Sequence, residues 1–250
     1  KAQFYFDFFI RSEPDQKVKF LNSKTIASAW TLLCGAAEGK QAEQMINHLF
    51  NPEEFYTKVP FASLSQDDPN YDSTGGYWLG GVWAPTNYAA IRGVAELGRP
   101  EMAREAAICY LDAVCQVAND PAYGSIWECH APEEYRPATA EGGELVRADF
   151  VGWSGLAPIT MLIENIIGLT FNARENTVNF RLFPGRCCGL KNMHFNGNVI
   201  GVECTEYVPV ADKSTIKVTA KKPFTLKVNT NYAWGETVIP VPAGEHTYFV

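Results

Sequence analysis

Six carboxylates and four aromatic side chains share residues 125–155, which read SIWECHAPEEYRPATAEGGELVRADFVGWSG. Chemistry on a glycosidic bond needs two carboxyl groups flanking that bond, and an aromatic ring stacks on the apolar C–H face of a pyranose. Each residue alone also fits a structural role, because loop tryptophans often fill gaps between helices and loop glutamates are usually solvated. The combination indicates a sugar site. The carboxylates of this loop are Glu128, Glu133, Glu134, Glu141, Glu144 and Asp149, and its aromatic residues are Trp127, Tyr135, Phe150 and Trp153.

A second stretch, GGYWLGGVWAPTNY at residues 75–88, sets large aromatic side chains among four glycines. Glycine permits backbone conformations that other residues avoid, and Pro85 suits the first turn of a helix. We therefore expect a tight loop that ends where a helix begins.

The composition indicates a folded, acidic protein, since 46% of its 250 residues are hydrophobic and its formal net charge is -7. There is no run of Lys and Arg, so nucleic acid and anionic membrane surfaces are poor partners. No stretch approaches the roughly 20 apolar residues of a membrane span. The seven cysteines and four histidines are not spaced for a metal site or a disulfide framework, and we expect no metal and no cofactor.

The hydrophobic pattern changes near residue 168. Before it, apolar residues recur at helical spacing, and long connections at 51–83 and 119–153 separate the helices. After it, short alternating runs separated by turns such as Asn196–Gly197 predict β-strands. The predicted helices contain 26–37, 45–50, 85–95, 102–113 and 156–167, and the predicted strands are 178–183, 199–207, 215–220, 224–229 and 246–250.

Paired helices with long loops at one end are typical of a toroid of helical hairpins, whereas a four-helix bundle has short connections at both ends. The predicted fold is therefore mainly α with a C-terminal β domain. Residues 1–168 would form the C-terminal part of an (α/α)6 catalytic toroid, and residues 169–250 a small antiparallel β-sandwich.

Several segments carry a resemblance to known glycosidases. GGYWLGGVWAPTNYAAIRG resembles the Tyr-Trp-Arg-Gly-Pro-Val-Trp-x-Pro-Thr-Asn-Tyr signature of glycoside hydrolase family 63. It is also similar to the Gln-Trp-Asp-x-Pro-Asn-Gly-Trp-Ala-Pro signature of the family 37 trehalases in the same clan. IWECHAP is similar to the segment that holds the family's general base, and DFVGWSG resembles a segment that lines its sugar pocket. The order and approximate spacing agree over about residues 1–170.

The resemblance implies that Glu128 is the general base. It implies that Trp78, Trp83, Phe150 and Trp153 wall the innermost sugar subsite. We expect three further residues, Tyr77, Asn87 and Trp127, to contact the substrate. The sequence departs from the family at Leu79, where family 63 usually has Arg, at Cys129–His130, where Asn or Lys followed by Tyr is usual, and at the inserted Val151.

The predicted function is an inverting, exo-acting α-glycosidase acting on an α-linked glucoside or mannoside. The family's general acid lies in a Ser-Gly-Trp-Asp-type segment, which does not occur here. Because the chain opens with Lys1, we expect an N-terminal part of the same polypeptide to supply that acid and the remaining helices. The sequence does not distinguish between the bacterial periplasm and the cytoplasm as the compartment. The alternatives are a non-catalytic carbohydrate-binding protein with the same aromatic cleft and a structural helical protein whose tryptophans are core.

Overall fold

The computed structural model describes residues 3–9, 19–183, 187–208, 213–230 and 236–250. The chain divides into two compact units, Lys1–Met161 and Leu162–Val250. In the first unit, a 3-10 turn at Ile26–Ala29 precedes the helices α1 (Trp30–Leu33), α2 (Gly39–Leu49), α3 (Ala84–Glu96), α4 (Pro100–Asn119) and α5 (Trp153–Met161). Two short strand pairs accompany them, formed by β1 (Phe8–Phe9) with β2 (Lys19–Phe20) and by β3 (Val82–Trp83) with β4 (Cys129–His130), together with a bridge between Thr25 and Leu64.

The helices of the first unit form where apolar residues recur every three or four positions. On α2 the buried face is Ala42, Met45, Ile46 and Leu49, which one stripe of an amphipathic helix provides. The axes of α1 and α3 approach closely at Gly93, because a Cβ there would lie 2.7 Å from that of Leu32. These faces and that of α4 meet in one buried hydrophobic cluster.

Two predicted helices have different bounds in the structure. The first ends at Leu33 and does not reach residue 37, because Gly35 adopts a left-handed φ of 69°. The fifth begins at Trp153, earlier than predicted, and continues as a π-helical segment over Leu162–Ile167 before Gly168, whose φ is 92°. Pro158 lies inside α5 and has no N–H to donate.

The second unit contains two four-stranded sheets. Their orders are β11-β10-β6-β5 and β12-β9-β8-β7. Side chains from both sheets, among them Phe180 and Ile216, belong to one buried cluster. The strands are β5 (Leu169–Asn172), β6 (Thr177–Leu182), β7 (Gly189–Phe195), β8 (Asn198–Val208), β9 (Lys213–Ala220), β10 (Phe224–Thr230), β11 (Glu236–Val241) and β12 (Gly244–Phe249).

Two fold expectations need correction. Strands β6 and β10 run parallel, with Thr177 opposite Thr225, so the β unit is not purely antiparallel. The expectation of a mainly α chain is not confirmed, because the eight strands of the second unit form substantial sheets and much of the first unit is irregular backbone. Asn196 and Gly197 do form the predicted turn, with φ of 50° and 68° between β7 and β8. Among the helices of the described ranges, none has the length and apolar character that crossing a membrane requires.

Candidate active site

The glycine-rich stretch folds into a tight loop held by its own main chain. Gly75 and Gly76 have φ of 115° and 44°, and Tyr77 also lies in the left-handed region at 60°. The Gly81 N–H donates to the Gly75 carbonyl at 2.7 Å. A Cβ on Gly81 would collide with the carbonyl oxygen of Tyr77. This is why glycine is required here, and why large aromatic side chains can project from a compact turn.

A short antiparallel pairing joins this loop to the carboxylate-rich loop. Trp83 in β3 lies opposite Cys129 in β4, which places Glu128 beside the end of the glycine loop. The Tyr77 N–H donates to the Thr139 carbonyl at 2.7 Å, and the Thr139 N–H donates to the Thr74 carbonyl at 2.9 Å. Backbone hydrogen bonds thus connect the two motifs, although about 50 residues separate them.

Glu128 is half-buried, and it is held through both its side chain and its main chain. The Tyr77 hydroxyl donates to Glu128 Oε1 at 3.3 Å. The Glu128 N–H donates to the Arg147 carbonyl at 2.9 Å, and the buried Ser154 hydroxyl donates to the Glu128 carbonyl at 2.9 Å. Desolvation raises the pKa of Tyr77, and the charge of Glu128 raises it further. The phenol therefore stays protonated at neutral pH and acts as the donor.

Aromatic rings extend from this carboxylate in one continuous group. The indoles of Trp78 and Trp83 stack with centroids 4.3 Å apart and planes 9° apart. Tyr77 meets Trp83 edge-on at 4.8 Å, and Trp153 approaches Trp83 at 6.4 Å. Phe150 lies 5.1 Å from Trp153. The structure thus brings these five predicted site residues together in one group of rings, and the Tyr77 hydroxyl connects the group to Glu128.

In this group of rings Trp83 is buried, whereas Trp78 and Trp153 form an exposed rim. Trp83 is only 2% exposed, whereas Trp78 is 49% and Trp153 44% exposed. Trp83 also donates its indole N–H to the Tyr77 carbonyl at 3.2 Å. Trp83 therefore supports the loop, and the open ring faces of Trp78 and Trp153 are the surfaces on which a ligand could stack.

Two predicted contact residues have structural surroundings. Asn87 is fully buried, and its amide binds the backbone of Phe61 and Trp83: its Oδ1 accepts from the Phe61 N–H at 2.7 Å, and its Nδ2 donates to both carbonyls. Trp127 packs edge-on against Tyr123 at 6.2 Å. Within the described residues its indole N–H is buried without a hydrogen-bond partner. Neither residue belongs to the exposed rim.

Sequence reasoning missed the residues that hold the two loops together. Thr139 accepts a hydrogen bond from the Gly76 N–H at 3.1 Å through its side chain. Asp72 accepts from the Thr74 N–H at 2.8 Å and fixes the entrance of the glycine loop. The Asp-x-Thr spacing at 72–74 is a turn signal that could have identified this anchor. No comparable pattern marks Thr139 or Ser154.

The other carboxylates of the loop have different partners. Glu133 accepts from the Tyr71 hydroxyl at 3.1 Å, and Asp149 accepts from the Ser125 hydroxyl at 2.6 Å. Glu141 is exposed, and its charge contributes to raising the pKa of Tyr77. In the part of the chain that the structure describes, no group of three or more His, Cys, Asp or Glu could hold a metal ion. Glu128 differs from these carboxylates because a residue of the aromatic group, Tyr77, donates a hydrogen bond to it.

His130 follows the site on β4 and is 2% exposed. Burial lowers the pKa of its imidazole to about 4, so the ring is neutral near pH 7. It meets the ring of Tyr110 edge-on at 6.1 Å. This buried neutral imidazole therefore packs against Tyr110 in the first unit.

Comparison with the curated proteins gives a relative of about twice this length. The chain is 26% identical over 248 residues to an uncharacterized protein of Borreliella burgdorferi, covering 98% of this chain and 50% of that protein. The chain thus spans about half the length of the curated relative that it matches.

Solved structures share parts of the fold. Neutral trehalase Nth1 of Saccharomyces cerevisiae has a TM-score of 0.50 and 18% identity, and the match covers 65% of this chain and 26% of the trehalase chain. A sialidase has a TM-score of 0.57 and 10% identity, covering 91% of this chain and 19% of its own. The GH63 mannosylglycerate hydrolase of Thermus thermophilus has a TM-score of 0.47 and 18% identity, covering 63% of this chain and 33% of its own.

A family profile covers more than half of the chain. It describes the mannosylglycerate hydrolase MGH1-like glycoside hydrolase domain, and it matches residues 1–144. That range includes the glycine loop, β3 and β4, and Glu128, on which most of the resemblance to family 63 and the trehalases rested, and it ends before the DFVGWSG segment. The resemblance is confirmed, and the chain belongs to the MGH1-like glycoside hydrolase family.

Proposed function

We propose that this chain carries the general base and part of the sugar pocket of an inverting, exo-acting α-glycosidase. The observation that carries the proposal is the hydrogen bond that the Tyr77 hydroxyl donates to Glu128. Tyr77 belongs to the same group of rings as the exposed Trp78 and Trp153. We propose that a sugar stacked on those rings presents its anomeric carbon to this carboxylate. Family membership supports the same reading.

In an inverting reaction, Glu128 takes a proton from a water molecule while that water attacks the anomeric carbon. The Tyr77 hydroxyl holds the Glu128 carboxylate in orientation. A second carboxylic acid protonates the departing oxygen from the other side of the bond, about 6.5–9.5 Å from the base. We assign that acid to polypeptide outside these 250 residues.

The fold that we propose around this site is a toroid of helical hairpins, formed in part by residues 1–168, with a β-sandwich over residues 169–250. An exposed apolar face on and beside α5 supports the missing helices: Val151 and Leu156 are each 66% exposed and Ile159 is 57% exposed. Such a face in a water-soluble domain is usually covered by a neighbour. The remaining N-terminal part of the same polypeptide is the neighbour that we propose.

The substrate that we propose is an α-linked glycoside or oligosaccharide of glucose or mannose. The family's name and the trehalase neighbour make mannosylglycerate and trehalose the first compounds to assay. The connected aromatic residues and the carboxylate of Glu128 suit a single innermost sugar ring, which supports exo action. No cofactor enters, since proton transfer and electrostatic stabilisation suffice for an acetal.

The test is Glu128→Gln in the full-length protein. Turnover should fall by about 10²–10⁴-fold while substrate affinity is retained, because the amide keeps the shape of the carboxylate and cannot take a proton. The matched control is Glu144→Gln on the exposed part of the same loop, which should keep wild-type turnover. A Glu128→Gln enzyme with more than about a tenth of the wild-type rate would refute the assignment.

The anomer released by the wild-type enzyme, followed by NMR, tests inversion separately. Retention of configuration would contradict that part of the proposal. The acid's location is tested by assaying these 250 residues beside the full-length protein. We expect negligible hydrolysis by the shorter chain, and comparable rates would place the acid within it, with Glu141 as the first residue to replace.

The second candidate function is a carbohydrate-binding protein that uses the same aromatic cleft without catalysis. Its supporting observation is that, across the described residues of the first unit, the other carboxylates of the loop bind local partners or lie exposed. It predicts sugar binding without turnover by the full-length protein, and Glu128→Gln would then leave affinity nearly intact.

A further inference from the structure

The outer face of the sheet β12-β9-β8-β7 carries polar side chains. Alternate residues of its strands, among them Val202 and Val218, belong to the buried cluster of the β unit, so the residues between them point outward. The outward residues of β8, β9 and β12 include Gly201, Glu203, Lys217, Thr219, Glu245 and Thr247. This face is therefore hydrophilic.

A groove forms on this face where β7 and β8 pair irregularly. The register shifts between Leu190 and Met193, so two residues of β7 lie opposite the single residue Gly201. Such a bulge bends the strand that contains it. At Gly201 a Cβ would lie 2.7 Å from the Thr219 hydroxyl oxygen, so the missing side chain leaves room for Thr219 against β8.

The resulting outer groove has a volume of about 560 Å³. Small-molecule sites in proteins usually measure about 300–1,000 Å³. The residues that line the outer groove include Lys191, Glu203, Lys217, Thr219, Glu245 and Thr247. The outer groove is thus large enough for a sugar unit, and its lining is polar.

The outer groove holds charges of both signs in equal number. Lys191 Nζ lies 3.2 Å from Glu203 Oε1, and Lys217 lies opposite Glu203 in the strand register. Glu245 supplies the second carboxylate. Because the formal charges cancel, neither an anion nor a cation is favoured. A neutral polyol meets charged donors and acceptors together, and their hydrogen bonds to hydroxyls are stronger than those between uncharged partners.

An exposed aromatic ring lies on the same face. Phe249 is 78% exposed, and it follows Thr247 by two residues on β12, so both side chains point outward. An aromatic ring stacks on the apolar C–H face of a pyranose. Polar groups in a groove and an open ring on the same face are together the chemistry that recognises carbohydrate.

We propose that the outer groove is a second, non-catalytic carbohydrate site that binds α-linked polysaccharide. The class of ligand rests on the proposed function, because an α-glycosidase acts on the ends of such chains. The outer groove would hold the polysaccharide on the enzyme between turnovers. None of its residues takes part in the proposed hydrolysis.

Affinity electrophoresis of the full-length protein tests this site. The parent is Glu128→Gln, which should not consume the probe, and the gels contain soluble starch or α-mannan. Adding Lys191→Met and Glu203→Gln removes one charge of each sign, so mobility without polysaccharide is unchanged. The apparent Kd should rise about tenfold, as expected for the loss of one charge-assisted hydrogen bond. The matched control is Lys227→Met with Glu236→Gln, an ion pair of 3.1 Å in the other sheet, which should keep the parent's affinity.

Lysine labelling locates the bound polysaccharide without a groove variant. The parent is acetylated briefly with acetic anhydride in the presence and absence of the polysaccharide, and acetylated lysines are quantified by mass spectrometry. Lys191 and Lys217 should be protected, whereas Lys227 should react equally in both samples. Phe249→Ala, a change at an exposed position, should weaken retardation as well.

Two results would overturn the inference. One is a parent protein that neither polysaccharide retards. The other is equal retardation of the groove variant and its matched control, which would place the polysaccharide elsewhere on the protein. Hydrolysis of trehalose and mannosylglycerate by the wild-type protein tests the proposed function separately. Turnover together with either result refutes the outer groove alone, whereas retardation through the groove without turnover of any α-glycoside refutes the proposed function alone.

Discussion

The buried imidazole of His130 should make stability of the first unit depend on pH. Burial lowers the pKa of His130 to about 4 from its ordinary 6.5. Between these values the unfolded chain binds a proton that the folded chain does not. Stability is therefore complete above pH 6.5 and is lost as pH falls from 6.5 towards 4. The difference corresponds to about 2 kcal/mol at pH 5 and about 3 kcal/mol below pH 4.

The perturbation is His130→Gln, which keeps a polar side chain and removes the titration. Urea denaturation is followed by tryptophan fluorescence at pH 8 and pH 5, since Trp30, Trp78, Trp83, Trp127 and Trp153 all lie in the first unit. Wild-type protein should lose about 2 kcal/mol more than the variant between the two pH values. Comparing the two losses cancels the carboxylates that titrate in both proteins.

His194→Gln is the control of the same residue type, because this imidazole is exposed on β7. Its stability should follow the wild-type pH profile. Equal pH dependence in the wild type and His130→Gln would refute the reasoning. It would mean that His130 is solvated, or paired when protonated, in the folded protein.

Two further predictions concern the loop and its aromatic residues. Trp83→Ala should lower the free energy of unfolding by about 3–5 kcal/mol, because the indole is buried. Trp78→Ala should lower it less and weaken sugar binding more, which denaturation and ligand-induced fluorescence changes would measure. Equal stability losses in the two variants would contradict the division between a buried Trp83 and an exposed Trp78. Gly80→Ala should destabilise the protein by about 1–3 kcal/mol, since its Cβ would collide with the Asp72 carbonyl. Gly152→Ala should leave the urea midpoint almost unchanged, because the nearest neighbour of its Cβ would lie at 3.5 Å. The reverse order of midpoints would count against the loop geometry.

Sequence identified the site's residue types better than the contacts that assemble them. Motif order predicted that Trp83, Trp153 and Glu128 belong together, and the structure brings them together. The β3–β4 register that does so involves two residues a strand, which is too short for a periodic signal. Asn87 shows the opposite case, because a motif position alone cannot distinguish an amide that binds sugar from one that binds the backbone.

The strands that sequence missed have physical reasons for their weak signals. Alternation in β7 is broken by a register shift between Leu190 and Met193. Strand β11 lies at the edge of its sheet and contains Pro240, which an edge position tolerates. Strand β5 has only four residues after Gly168. Each departs from the long, regular alternation that identifies a strand by sequence.

Leu79 shows how the loop can depart from the family signature without losing its shape. Its N–H donates to the Gly76 carbonyl at 3.1 Å, and its carbonyl accepts from the Asp72 N–H at 2.8 Å. Its side chain is 40% exposed. Because main-chain groups make the bonds that close the turn, any residue that keeps its backbone N–H can make them at this position. The arginine that family 63 usually carries here is therefore not needed to build the loop. Its replacement by leucine removes a positive charge from the exposed surface of the loop.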